Sequence, residues 1–96
     1  MTMTLREMRQ KAAKAYRNQT REYFYESEIG RTQKDDLDNL FAGNVADKNE
    51  GLKLLILCLL TMQFESMAGN QEEGDRVTDE ALIAMAEETY QEMENA

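Results

Sequence analysis

Apolar residues recur every three to four positions along most of the chain, which is the spacing of an amphipathic helix. The sequence contains no run of alternating Val, Ile or Thr and no Asn-Gly hairpin turn, so strands are not expected. The apolar pattern, together with its capping residues, predicts four helices over residues 4–29, 33–42, 48–68 and 79–93.

The first predicted helix begins with a capping box, because Thr4 is followed three residues later by Glu7. Its apolar positions fall within one arc of about 100° of the helix surface as far as Tyr23. The helix is expected to run to Ile29, with Gly30 as a left-handed C-cap. The arc is less clear after Tyr23, so a break near residues 18–20 is the alternative.

The second helix is short, with Thr32 as its predicted N-cap and Gly43 at its end. The third begins near Asp47 and contains the apolar run 54–60. Its few polar residues are scattered around the helical wheel, which indicates burial on most sides. The fourth carries apolar residues on one side and glutamates on the other.

These elements predict an all-α fold, a small bundle of about four helices packed around the central hydrophobic third helix. A chain of 96 residues fits one domain, assigned to 1–96. We expect it to bury one modest core.

The composition excludes most catalytic and metal chemistry. The chain has no His and only one Cys, so neither a Ser-His-Asp triad nor a multi-cysteine metal site can be built. Cys58 lies within the apolar run 54–60 and is interpreted as a buried hydrophobic residue rather than a reactive thiol. Neither acidic cluster, at 35–38 or at 47–51, has the spacing of a calcium loop. We therefore predict no enzyme activity, catalytic residue, cofactor or metal.

The longest apolar run has seven residues, far short of the about 20 that span a bilayer. The first residues also lack the apolar stretch of a signal peptide. The expectation is a cytoplasmic protein that does not bind membranes.

Charge is unevenly distributed along the chain. Residues 1–34 carry eight Lys or Arg and four Glu, a net charge of +4, whereas residues 35–96 carry three basic and fifteen acidic residues, a net charge of −12. The total is −8. Such asymmetry is typical of interaction surfaces.

Three interpretations of the basic first helix remain open. It could pack against the acidic helices of the same chain, contact a partner protein, or contact nucleic acid. The strongly negative remainder of the chain disfavours nucleic acid. The acidic face of the fourth helix is either a solvated surface or a docking surface. Docking is considered because anions near a helix C-terminus are unfavourable unless a cation covers them.

The sequence best supports a small acidic helical protein that binds another protein, as an adaptor, an accessory subunit or an inhibitor, including a phage-type inhibitor of a host enzyme. The hypothetical partner-binding residues form a basic-aromatic set and an acidic set: Arg6, Arg9, Arg17, Arg21 and Phe24, and Glu80, Glu87, Glu88 and Glu92. The first alternative is a nucleic-acid mimic, whose carboxylates occupy the groove of a DNA- or RNA-binding protein. The second alternative is nucleic-acid binding by the basic first helix. Pairing of basic and acidic helices between copies would give a homo-oligomer.

Overall fold

Helices account for all of the regular structure in the computed structural model, which describes residues 4–68 and 79–95. Five α-helices follow in order: α1 (Leu5–Asn18), α2 (Glu28–Thr32), α3 (Lys34–Phe41), α4 (Lys48–Ala68) and α5 (Asp79–Glu94). A 3₁₀ segment, Glu22–Glu26, lies between α1 and α2. Within the described ranges no strand is present, so the all-α prediction is confirmed.

The first helix begins as predicted but ends eleven residues early. The Thr4 side chain accepts a hydrogen bond from the Glu7 amide at 3.2 Å, as in a capping box. At the other end Gln19 adopts a left-handed conformation, with φ of 55°, and its amide donates to the Ala15 carbonyl. The prediction of one helix over 4–29 is therefore wrong, and the alternative break near 18–20 is the one observed.

Ser27 organises the turn that follows. Its hydroxyl is fully buried, accepts a hydrogen bond from the Gly30 amide at 2.8 Å and donates one to the Phe24 carbonyl at 3.0 Å. It thus caps α2 and ties it to the 3₁₀ segment. Gly30 lies inside α2 and is not the C-cap that the sequence predicted. A side chain there would overlap the Phe24 carbonyl, which explains why glycine stands at this position.

The start of α3 also corrects the sequence prediction. Thr32 is not its N-cap, because the Thr32 hydroxyl donates to the Glu28 carbonyl within α2, and Gln33 precedes α3 without a side-chain cap. Its end agrees with the prediction: Gly43 has a positive φ of 80° directly after the helix.

The long helix α4 covers the predicted range 48–68, and α5 ends one residue beyond the predicted 93. Asp47 caps α4, since its carboxylate accepts from the Asn49 amide at 2.9 Å. Helix α4 contacts α1, α2, α3, α5 and the 3₁₀ segment. The core combines residues of all these elements, and its largest fully buried side chains are Phe24, Leu37, Leu55, Ile56, Leu59 and Leu60.

None of the described helices combines the length and the apolar character that crossing a membrane requires.

Candidate functional site

Three of the five basic residues of α1 lie on the side of the helix that faces away from the core. Met8, Ala12 and Ala15 are buried, and Arg6 and Arg17 lie on the opposite side, within about 20° of each other around the helix axis. Both arginines are exposed. Lys14 is also exposed and lies next to this line. We call Arg6, Lys14 and Arg17 the basic stripe.

Two of the predicted basic residues are held by carboxylates of the same chain. Arg9 is 3.8 Å from Glu92, a contact that joins α1 to α5 and links the two predicted charged sets. Arg21 lies 3.9 Å from Asp38 and 4.0 Å from Glu22. Such exposed or half-exposed pairs contribute about 0–1 kcal/mol each. They nevertheless leave these two arginines less available to a partner.

The basic stripe has no such partners among the described carboxylates. None of the ion pairs within residues 4–68 and 79–95 includes Arg6, Lys14 or Arg17. Their positive charge therefore faces solvent without a described neutralising group. Ion pairs with carboxylates of the same chain hold Arg9 and Arg21, whereas none of the described ion pairs holds a residue of the basic stripe.

A shallow groove of about 330 Å³ runs between α1 and the 3₁₀ segment. Its rim contains Lys11, Lys14, Asn18 and Thr20, and Ala15, Tyr23 and Phe24 supply its apolar lining. The Lys11 ammonium lies 5.4 Å from the centre of the Tyr23 ring, in a cation–π contact. An open groove with an apolar floor and a cationic rim suits an apolar group that carries negative charge beside it.

Phe24 does not belong to an accessible basic-aromatic surface. Its side chain is 1 % exposed, with its ring 6.2 Å from that of Phe41 in the core. The exposed aromatic residue is Tyr23, because the tighter 3₁₀ turn separates the side chains of neighbouring residues by about 120°. Three consecutive aromatic residues, at 23–25, cannot all face one core, so the sequence indicates that one ring is exposed. The break at Gln19 decides that the exposed ring is that of Tyr23.

The acidic residues of α5 are divided between two flanks of the helix. Glu92 lies on the flank next to α1, as its ion pair with Arg9 shows. Glu80 and Glu87 are exposed on the other flank, one turn before and one turn after Ile83. Ile83 is the most exposed large hydrophobic residue described, at 47 %. Glu88 is exposed between the two flanks. The four predicted glutamates thus spread over the solvent-facing side of α5, and Glu92 is the one that a described ion pair holds.

A further group of acidic residues lies where the end of α5 meets the start of α4. The Tyr90 hydroxyl donates to Glu94 at 2.7 Å, and the Lys53 ammonium lies 5.1 Å from the Tyr90 ring. Burial, the hydrogen bond to Glu94 and the nearby charges of Asp47 and Glu50 raise the pKa of Tyr90 to about 12. Carboxylates of α4 and α5 thus share one end of the molecule.

Glu50 also lines a second cleft, of about 370 Å³, between α3 and α4. Asp36 lies on the α3 side of this cleft, beside Asn39 and Asn44, and Leu40, Val45 and Leu54 supply apolar lining. The sequence did not predict this cleft, because it forms only where the 42–47 connection brings the two helices together.

The single cysteine of the chain lies in the core. Cys58 is fully buried, and burial raises the pKa of its thiol to about 12 despite a hydrogen bond with Ser27. The thiolate form that reacts is therefore scarce at neutral pH. Across residues 4–68 and 79–95, no three His, Cys, Asp or Glu side chains are grouped to hold a metal ion.

Comparison with protein-family models, curated proteins and solved structures finds no match to this chain.

Proposed function

We propose that this protein acts by binding another protein, and that the basic stripe of α1 forms the contact with an acidic surface of that partner. The observation that carries the proposal is that Arg6, Lys14 and Arg17 stay exposed and without a described carboxylate, although the chain as a whole is strongly acidic. Charges of this kind steer a partner and set its orientation. With such a surface the protein would act as an adaptor, an accessory subunit or an inhibitor, and we place it in the cytoplasm.

Helix α4 has the role of a central support in this proposal. Its buried residues, including Leu55 and Leu59, provide the packing surface on which α1 rests. A rigid support favours binding because less side-chain and backbone freedom is lost when the partner docks.

The test is affinity capture from the native cell with the immobilised chain, followed by mass spectrometry. The variant Arg6→Glu/Arg17→Glu should lose the captured partner. Arg31→Glu/Lys48→Glu is the matched control, because it makes the same charge change at two exposed residues outside the stripe. Circular dichroism establishes that both variants fold.

The captured partner is then purified, and its affinity is measured by calorimetry. We expect the stripe variant to bind at least tenfold more weakly than the control, and the wild-type affinity to fall at about 1 M salt, where the Debye length is about 3 Å. Equal capture by both variants, or capture of nothing by the wild type, would contradict the proposal.

A second candidate function is nucleic-acid mimicry, which one observation favours. Glu50 lines the same cleft as Asp36, and its charge also acts on Tyr90, which donates a hydrogen bond to Glu94. One carboxylate each from α3, α4 and α5 therefore borders this region. A mimic requires such carboxylates to replace the phosphates of a duplex.

Mimicry predicts that the captured partner is a nucleic-acid-binding protein and that duplex DNA or RNA displaces it. It also predicts that Asp36→Asn/Glu50→Gln/Glu94→Gln abolishes capture, whereas the stripe variant does not. A partner that an excess of duplex leaves in place rules the mimic out.

A further inference from the structure

The groove and the two arginines of the basic stripe lie on different sides of α1, and Lys14 lies between them on the rim of the groove. Lys11 and Arg9 are two positions apart and hence about 200° apart around the helix. Since Arg9 contacts Glu92 of α5, Lys11 and the groove lie on the flank of α1 that faces away from α5. The groove therefore stays open to a molecule that approaches from that side.

Helix α5 presents a matching feature on its own outer flank. Ile83 and Glu92 are nine positions apart, which places them about 180° apart around the helix. Because Glu92 faces α1, Ile83 faces away from it, with Glu80 and Glu87 beside it at helical neighbour positions. We call Glu80, Ile83 and Glu87 the α5 ridge.

The groove and the α5 ridge are complementary in polarity and in charge. The ridge offers one half-exposed apolar side chain between two carboxylates, and the groove offers an apolar floor of Ala15 and Phe24 beneath two lysines. The whole helices differ in the same sense: α1 carries five Lys or Arg and one Glu, whereas α5 carries six Asp or Glu and neither Lys nor Arg. The groove has a volume of about 330 Å³ and is open to solvent along one side, so an isoleucine side chain can enter it.

We propose that the occupant of the groove is the α5 ridge of a second copy of this chain, with Ile83 inserted between Lys11 and Lys14. The two surfaces lie on opposite sides of the α1–α5 pair, so they cannot meet within one chain. A contact between two different surfaces is heterologous, and each added copy leaves one groove and one ridge free. Association therefore continues beyond a dimer.

Nucleic acid is the less suitable occupant. The phosphates of a nucleic acid bring no aliphatic side chain to the apolar floor, whereas the ridge places its two carboxylates beside an isoleucine that fits the floor. The groove also has a single exposed aromatic ring, Tyr23, whereas a single-stranded nucleic acid needs a row of stacking side chains.

The experiment is sedimentation equilibrium of the full chain over a wide concentration range, from dilute to about millimolar, at low salt and at about 1 M salt. The average mass should rise steadily above 11.1 kDa with concentration, without a plateau at twice that value, and should return toward the monomer at high salt. A monomer at every concentration at low salt overturns the proposal, and so does a dimer that adds no further copies.

Variants assign the contact to its residues. Lys11→Glu/Lys14→Glu and Glu80→Lys/Glu87→Lys should each weaken association at least tenfold, and combining all four substitutions in one chain should restore it. Ile83→Ala should weaken it about fivefold, the change expected from losing about 1 kcal/mol of apolar burial.

Lys48→Glu and Asp35→Lys are the matched controls, because they change charge by the same amount per residue at exposed positions away from both surfaces. Association that the groove and ridge variants leave at the wild-type level contradicts the assignment. Binding of a fluorescent oligonucleotide that depends on Lys11 and Lys14, by a chain that stays monomeric, would instead assign the groove to nucleic acid. Lys14 belongs to both surfaces, so the two proposals are told apart by the residues that they do not share. Partner capture is tested with Arg6→Glu/Arg17→Glu, which leaves the groove intact, and self-association with the α5 ridge variants, which leave the basic stripe intact.

Discussion

Replacing Ser27 by alanine removes a hydrogen-bonding group from a fully buried position in the turn before α2. The hydroxyl is 0 % exposed, accepts from the Gly30 amide and donates to the Phe24 carbonyl. Loss of an N-cap costs about 1 kcal/mol on average. Here water cannot replace the hydroxyl, so the buried amide of Gly30 is left without an acceptor, which adds about 1–2 kcal/mol.

The expected destabilisation of Ser27→Ala is therefore about 2–3 kcal/mol. For a domain of this size each kcal/mol lowers Tm by about 4–8 °C, so we expect a shift of about 10–20 °C. The measurement is urea and thermal unfolding followed by circular dichroism, with the free energy of unfolding extrapolated to water.

Thr4→Ala is the matched control, since Thr4 makes the same capping hydrogen bond at the exposed start of α1. Water can reach the Glu7 amide there, so the expected cost is about 0.5–1 kcal/mol. If the two variants lose the same free energy of unfolding, burial of the cap has no energetic consequence and the reasoning fails.

Three further predictions concern stability and titration. Gly30→Ala should destabilise the fold by about 3 kcal/mol, because its Cβ would overlap a backbone carbonyl. Gly51→Ala should change the free energy of unfolding by less than about 1 kcal/mol, since its Cβ meets the end of a flexible leucine side chain and the residue gains helix propensity. Equal losses of the two variants in denaturant unfolding would contradict this. Cys58 should react with a thiol reagent only upon unfolding, because burial raises its pKa to about 12, and labelling of the native chain at the denatured rate would refute that. Tyr25, through burial and its hydrogen bond to a carboxylate, and Tyr90 both have a pKa raised to about 12, so ultraviolet titration should show two late phenols. Because these folded-state pKa values lie above the ordinary tyrosine pKa of 10, the stabilisation from the neutral phenols is complete below pH 10 and is lost as pH rises from about 10 to about 12. Unfolding midpoints that stay constant across this pH range would contradict the prediction.

The helix boundaries that the sequence predicted well are those whose signals are local. Asp47 caps α4 and Gly43 ends α3, and in each case a single residue provides the geometry that stops or starts the helix. The apolar run 54–60 likewise required nothing beyond its own length and composition to predict a buried helix.

The errors occur where distant contacts decide the backbone. A glutamine in the left-handed region carries no sequence signal, so the break at Gln19 was only an alternative. Without that break Phe24 could not be assigned to the core and Tyr23 to the surface. Of the predicted partner-binding residues, Arg6 and Arg17 remain exposed, but the ion pair of Arg9 with Glu92 depends on two helices that lie at opposite ends of the sequence.

That ion pair has a mechanical consequence. Helices α1 and α5 are the first and last of the described chain, and they touch, so tension applied between Leu5 and Glu94 acts first on their contact. It is a small contact with an exposed charge pair, whereas the packing of α5 on α4 is more extensive. Drawing residues 5 and 94 apart therefore separates α1 from α5 before α4 and its neighbours unfold.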